Sequence, residues 1–257
     1  MTEVDLGSQY LQATLDGGIL KVVLNRPVRR NAMTIQMYNG VRRACDLADI
    51  NPEVAVVLIT GVDDTFCVGG DMGGQFEETP GELQVGPDAI ELLPFPFIEQ
   101  CTKIVVSAVN GLCYAGGLDI AVTSDVCIAS DRATFRAPEI RWGIADSFLS
   151  GRLPQQVGVA AAKYLIFTCA VIDAAEALRI GLVAKVVPHD DLMSRVSEVI
   201  DQILATGPEA RIALKKDINR QAPPLDVEVF RRSMLSEEIV EGIQSFVEKR
   251  PARWKRT

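Results

Sequence analysis

Two apolar runs constrain the fold more than anything else in the chain: VAVVLITG at 54–61 and KIVVSAVNG at 103–111, each closed by glycine. Neither alternates polar and apolar residues, so each is predicted to be a strand covered on both faces, the pattern of a parallel sheet in an α/β fold. Each run is followed by a glycine-bearing loop that ends in an acid, CVGGD at 67–71 and AGGLD at 115–119. Open-sheet ligand sites lie beyond the carboxyl ends of such strands, which makes these two loops the first candidates for a functional site.

The rest of the chain is arranged around those runs. QYLQATL (9–15) and ILKVVL (19–24) flank Asp16, Gly17 and Gly18, a hairpin signal. Thr34 is placed to cap a helix through about Ile50, with Ile35, Tyr38, Val41, Arg42 and Cys45 making one side largely apolar. The stretch from 72 to about 100 carries Pro80, Gly81, Gly86, Pro87, Pro94 and Pro96, and reads as an irregular flap. A helix is predicted to start at Gly116, and VCIAS (126–130) is a short strand. The segments 150–167, 173–180, 190–205, 208–220 and 225–248 read as helices, interrupted at Gly207-Pro208 and Pro223-Pro224. An α/β core is therefore expected at 1–190, with a helical segment at 191–257 suited to association.

Composition narrows the function classes. A net charge of −8 argues against a general nucleic-acid binder, because affinity for phosphate backbones rests on accumulated Lys and Arg. Against that background EKRPARWKRT at the end gathers Lys249, Arg250, Arg253, Lys255 and Arg256, either a solvated terminus or a site for a polyphosphate ligand. No apolar run reaches the length of a membrane span, and the polar start lacks the regions of a signal peptide; a cytoplasmic protein is expected. Six cysteines without CxxC spacing and a single histidine, His189, make disulfides and a metal centre unexpected. GxGxxG, GxxxxGK[ST] and GxSxG are all absent, which removes the usual nucleotide and serine-hydrolase signatures. His189 follows Pro188 in a predicted surface turn and is expected to be structural or exposed.

What remains is a pair of glycine loops and a set of acids. Glycine lets backbone approach a ligand, and N–H groups at a helix start attract negative charge. One amide from each loop would make an oxyanion hole. APEIRWGIADS (137–147) adds Glu139 and Asp146 in an apolar and aromatic run, and Asp119 stands one helical turn beyond Gly116.

In this order the chain resembles the crotonase family, the enoyl-CoA hydratases and isomerases. The resemblance rests on LNRPVRRNAM (24–33), FCVGGDM (66–72), VNGLCYAGGLDIAVTSDVCIAS (109–130), FRAPEIRWGI (135–144), EALRIGLVAKVV (176–187) and FVEKRPARW (246–254). It implies a spiral of ββα units with a helical C-terminal part that builds homotrimers or hexamers. It also implies an acyl-CoA thioester as substrate, with coenzyme A part of that substrate and no separate cofactor.

Carried over by position, the resemblance puts the oxyanion amides on Val68 and Gly116 and a proton-handling carboxylate on Glu139. At Asp119 the family's hydratases typically have Glu. Asp is shorter by about 1.5 Å, which weakens a water held between two long carboxylates. The dienoyl-CoA isomerase branch has acids similar to Asp119, Glu139 and Asp146. Counting back from RLP (152–154) aligns Asp146 with the isomerase acid, whereas counting forward from Gly143 it falls one residue early; a helix N-cap is its other reading. The resemblance further places Arg26, Arg29, Arg30 and Asp71 around the coenzyme A entrance, and Phe246 and Lys249 at the adenine and phosphates. Double-bond isomerisation is favoured over 2-enoyl-CoA hydration, with a non-catalytic CoA-binding or scaffold member as the reading from another class.

Overall fold

The computed structural model describes residues 1–72 and 87–254. Among these, eleven strands form two sheets. In chain order they are β1 (Thr2–Glu3), β2 (Leu11–Asp16), β3 (Ile19–Leu24), β4 (Val56–Gly61), β5 (Thr65–Cys67) and β6 (Ile104–Val109). Then follow β7 (Leu112–Tyr114), β8 (Val126–Ser130), β9 (Thr134–Arg136), β10 (Ile172–Asp173) and β11 (Lys185–Val187). The helices are α1 (Ile35–Ile50), α2 (Phe95–Gln100), α3 (Gly116–Thr123), α4 (Ser147–Val157) and α5 (Val159–Thr168). The remainder are α6 (Ala174–Arg179), α7 (Leu192–Leu204), α8 (Pro208–Asn219), α9 (Val227–Met234) and α10 (Glu237–Val247).

The large sheet runs β1-β2-β3-β4-β6-β8-β11, and the small one β10-β9-β7-β5. The hairpin β2–β3 closes on the two glycines as its sequence demands, pairing Asp16 with Ile19. From β3 onward every pairing in the large sheet is parallel. Each apolar run supplies one long strand to the large sheet; the chain then turns and adds a three-residue strand to the small sheet, so β4/β5, β6/β7 and β8/β9 are successive rungs of one spiral. This is the mixed α/β architecture that the resemblance implies. β4 is buried on both faces, as its unbroken apolar run requires.

One face of the large sheet belongs to the main core with α1. The other is sealed by α7, where Leu192, Val196 and Ile200 pack on Val56, Leu58, Val106, Ala108 and Ile128. The helices after residue 190 are thus packed on their own core. Lys215 of α8 is buried and its ammonium meets Asp125 at 2.6 Å, with the carbonyls of Ile98 and Lys103 as further acceptors. Phe230 of α9 stacks edge-on against Phe148.

Three expectations are corrected. The predicted helix at 150–167 begins earlier, where Asp146 caps it, and divides at Gly158, whose φ of 79° cannot continue a helix. The predicted helix at 225–248 is two, because the Ser236 side chain caps the Ile239 amide and starts α10 afresh. Of the expected flap, residues 73–86 lie outside the described residues. From Pro87 on it is helical, and Ile90, Leu93, Phe95 and Ile98 are buried in the core.

Candidate active site

The parallel strands β5, β7 and β9 stand side by side, and the chain leaves each at its carboxyl end into a residue singled out from the sequence. Val68 follows β5, Gly116 opens α3 just after β7, and Glu139 begins a 3-10 turn (Glu139–Trp142) after β9. The small sheet, invisible as a pattern because its strands are so short, is what gathers the site.

The two loops interlock. Gly69 has φ +96°, and a Cβ there would lie 2.4 Å from Cβ of Ala115 and 3.3 Å from the Gly116 nitrogen. A Cβ on Gly117 would lie 2.4 Å from the Cys67 carbonyl oxygen. Only glycine permits this approach, so the Val68-Gly69 peptide is held against the start of α3. Ala115 itself adopts φ 51° and ψ −133°, an uncommon conformation for a residue with a side chain. Its amide continues the ladder to the Arg136 carbonyl, and its carbonyl accepts from Leu118 and Asp119. That twist turns the Gly116 N–H out of the ladder. Among the described residues no hydrogen bond takes the amide of Val68 or of Gly116.

The acids converge on the same place. One carboxylate oxygen from each of Asp119, Glu139 and Asp146 lies within 4.8 Å of the other two. Asp119 and Glu139 are buried, and both oxygens of Asp119 and Oε1 of Glu139 have no hydrogen-bond donor among the described residues. Asp146 is half-buried and does serve as N-cap, its Oδ1 accepting from the Leu149 amide at 3.0 Å. The cap reading of Asp146 holds, and the same side chain stands beside Asp119 and Glu139.

Burial is the largest influence on all three. It pushes Asp119 well above the ordinary carboxylate range, and the charges of Asp146 and Glu139 push it further. Glu139 is raised well above its usual value by burial and then by Asp146, offset in part by the Arg136 guanidinium. Asp146 is also raised by burial, offset by the amides of Leu149 and Phe148, which favour its anion. Like charges this close in a buried site oppose one another, so the three carboxylates are not all ionised together. Three carboxylate oxygens this close could hold a cation or pass a proton among themselves.

Tyr38 of α1 was absent from the candidates. It is buried, its ring packs edge-on against Phe95, and its hydroxyl fills the space where a Gly116 side chain would be. The helix pattern placed it on the apolar face, and the phenol was the signal left unread.

The residues expected around coenzyme A are placed differently from one another. Arg26 and Asp71 are buried and joined at 2.8 Å, with the same guanidinium nitrogen donating to the Ala32 carbonyl. The pair staples the hairpin exit to the 69–71 loop, which also pairs through Met33 and Gly70. Arg29 is half-buried and Arg30 exposed in the turn after Arg26. Phe246 is exposed on α10 with its ring edge-on to Trp142, in the turn that Glu139 begins. Lys249 is exposed, whereas Arg250 of the basic tail is bound to Glu241 and Glu248; Lys255 and Arg256 lie outside the described residues. His189 links its turn to β8 through Ser130 at 3.0 Å. All six cysteines are buried thiols. No helix among the described residues is long and apolar enough to cross a membrane.

Comparison with known proteins agrees with the geometry. Residues 14–257 match the family described as enoyl-CoA hydratase/isomerase. The chain is 31% identical over 246 residues to the enoyl-CoA hydratase EchA19 of Mycobacterium tuberculosis, covering 91% of this chain and 92% of that protein. It is 32% identical over 262 residues to a carnitinyl-CoA dehydratase of Proteus mirabilis, covering 96% and 99%. The crystal structure of an enoyl-CoA hydratase from Mycobacterium avium subsp. paratuberculosis superposes with a TM-score of 0.83 at 26% identity, covering 96% of this chain and 99% of that one.

Proposed function

Since the chain belongs to the enoyl-CoA hydratase/isomerase family, enzymes acting on enoyl-CoA thioesters, we propose that it moves a carbon–carbon double bond within an acyl-CoA. The observation that carries this reading is the convergence of a third carboxylate, Asp146, on Asp119 and Glu139, with an oxygen of each within 4.8 Å of the others. A short carboxyl crowded by a third acid is poorly placed to hold a water against Glu139. Hydration needs that water, and isomerisation does not.

In this reading the thioester oxygen sits on the amides of Val68 and Gly116. The ionised member, Asp146, takes a proton from the acyl chain; the electron pair passes into the conjugated thioester as a dienolate whose charge the two amides stabilise. Glu139, kept neutral by burial, returns a proton to a different carbon, and the double bond has moved with no change of mass. An oxyanion donor of this type contributes about 3–4 kcal/mol to such a step. Coenzyme A enters as part of the substrate, with Arg29, Arg30, Phe246 and Lys249 as its proposed contacts. A homotrimer or hexamer is proposed from the same family membership.

A second reading, 2-enoyl-CoA hydration, is favoured by the names of the relatives, which are hydratases and dehydratases. The two are separated by incubating the protein with 2-enoyl-, 3-enoyl- and 3,5-dienoyl-CoA thioesters and following product mass and ultraviolet absorbance together. The expected result is a shifted chromophore at unchanged mass. A product heavier by one water from the 2-enoyl thioester, with no isomer from the others, would replace isomerisation by hydration.

A further inference from the structure

The oxyanion site has a neighbour that neither the sequence motifs nor the family match assigns. Tyr38 is 3% exposed, and a Cβ built on Gly116 would stand 2.3 Å from its hydroxyl oxygen and 3.2 Å from the ring carbon bearing it. The phenol therefore rests on the residue whose amide is the second oxyanion donor. Its place is fixed from three sides. α1 is anchored by the Thr34 cap on the Met37 amide, the ring meets Phe95 at 6.0 Å and 82°, and Phe95 is in turn backed by Phe148 at 5.2 Å.

The side chain is buried as a whole, but its hydroxyl oxygen is not fully enclosed, so the phenol tip keeps a little exposure beside Gly116. Among the described residues no hydrogen bond involves the Tyr38 hydroxyl, while its own amide bonds normally to Thr34. The adjoining Gly116 N–H is itself a donor and cannot accept the phenol proton. Burial, with the thiol of Cys67 and the acids Asp119, Glu139 and Asp146 nearby, holds Tyr38 protonated throughout the working range, so the group is a permanent O–H donor without an acceptor. A thioester oxygen on the Gly116 amide supplies that acceptor.

We propose that the Tyr38 hydroxyl is a third hydrogen-bond donor to the thioester oxygen, beside the amides of Val68 and Gly116. The inference rests on the enolate-forming reading of the site but is independent of whether the double bond moves or water adds, since both reactions place charge on that oxygen. It gives α1 a part in the reaction. It also supplies a reason for glycine at 116 beyond backbone conformation, because any side chain there would displace the phenol.

The test is acetoacetyl-CoA, an enolisable thioester whose enolate absorbs in the near ultraviolet, titrated across pH with the wild-type protein and with Tyr38→Phe. The variant keeps the ring and its edge-on packing, and its melting curve and far-ultraviolet dichroism are compared with wild type. The expected result is that both proteins bind the ligand, and that in Tyr38→Phe the pH at which the bound enolate appears rises by about 2 units, the equivalent of about 10²-fold for one oxyanion donor. With the productive acyl-CoA, kcat falls by a similar factor while KM changes little. An unmoved enolate midpoint overturns the proposal and leaves Tyr38 as packing. A changed pH–rate profile with an unmoved midpoint also overturns it, assigning the hydroxyl to the acids. If the wild-type protein binds acetoacetyl-CoA without any enolate, the enolate reading of the whole site falls, and this inference with it.

Discussion

Asp119 has both carboxylate oxygens buried without a donor from the described residues, and its pKa is driven up first by that burial. The consequence for stability has a definite sign. Below about pH 4 the carboxyl is protonated in folded and unfolded chains alike, and the favourable contribution of its neutral form is complete. As the pH rises the unfolded chain ionises first while the folded protein keeps its proton, so stability declines until the raised folded-state pKa is passed. Asp119→Asn is expected to melt higher than wild type at pH 8, by roughly 2–4 °C for each kcal/mol of relieved burial, and the gap should close towards pH 4. A thermal-shift series across pH checks this, and a gap that widens towards acid would reverse the assignment. Asp146→Asn separates the two tasks of that residue. Asn remains a good cap for α4, so the fold should hold, while loss of the anion should lower turnover about 10²–10⁴-fold in steady-state assays. The sequence made Glu139 and the two glycine loops legible because each lies in a short local motif. It left Asp146 divided between cap and site acid, since one carboxylate caps α4 and also lies close to Asp119 and Glu139. The Arg26–Asp71 ion pair was not legible, because nothing local signals a buried pair formed across 45 positions.

At the scale of elements, the long strands were readable and the short ones were not. β4 and β6 each rest on an unbroken apolar run, but β5, β7 and β9 have three residues each, too few for any periodicity to register. The site hangs from those short strands, so its loops were visible while the sheet bringing them together was not. The split of α4 from α5 and of α9 from α10 depended on a positive φ at Gly158 and on a cap by Ser236, local events that helical propensity averages over. The junction of β5 with α3 is the element contact most open to challenge. Gly117→Ala would put a methyl group 2.4 Å from the Cys67 carbonyl oxygen and 2.8 Å from Cys67 Cβ, the first a backbone atom that cannot move aside cheaply. Overpacking of this kind is unfavourable by about 1–3 kcal/mol, and here it also pushes the Gly116 amide away from that of Val68. The urea midpoint should drop by the corresponding amount and kcat should fall with it. A variant that lost stability but kept full turnover would show that the two amides need not act together.

For the whole molecule, the question is what the last four helices present to their surroundings. α8 is held inward by the buried Lys215–Asp125 pair, which fixes which of its sides faces out. Leu214 and Ile218, one turn apart on that outer side, are 62% and 64% exposed, and they border a cleft of about 690 Å³ between α4, α7 and α8. Leu235, Val240 and Val247, in or beside α10, are exposed to a similar degree. Surface leucines occur singly on any protein, but several large apolar side chains left exposed on α8 and on or beside α10 are the kind that subunit association covers. The net charge of −8 on each protomer opposes close approach, so apolar burial must supply the attraction. With the homotrimer or hexamer proposed from family membership, sedimentation of the wild-type protein is expected to give three or six times the chain mass of 27.9 kDa. Replacing Leu214 and Ile218 together by Asp should shift it to smaller species while far-ultraviolet dichroism stays unchanged, because Lys215 still anchors α8 to the core. A wild-type protein that sediments as a single protomer and turns over acyl-CoA at full rate would mean that the helical segment serves its own core alone, and that those exposed side chains await no second copy.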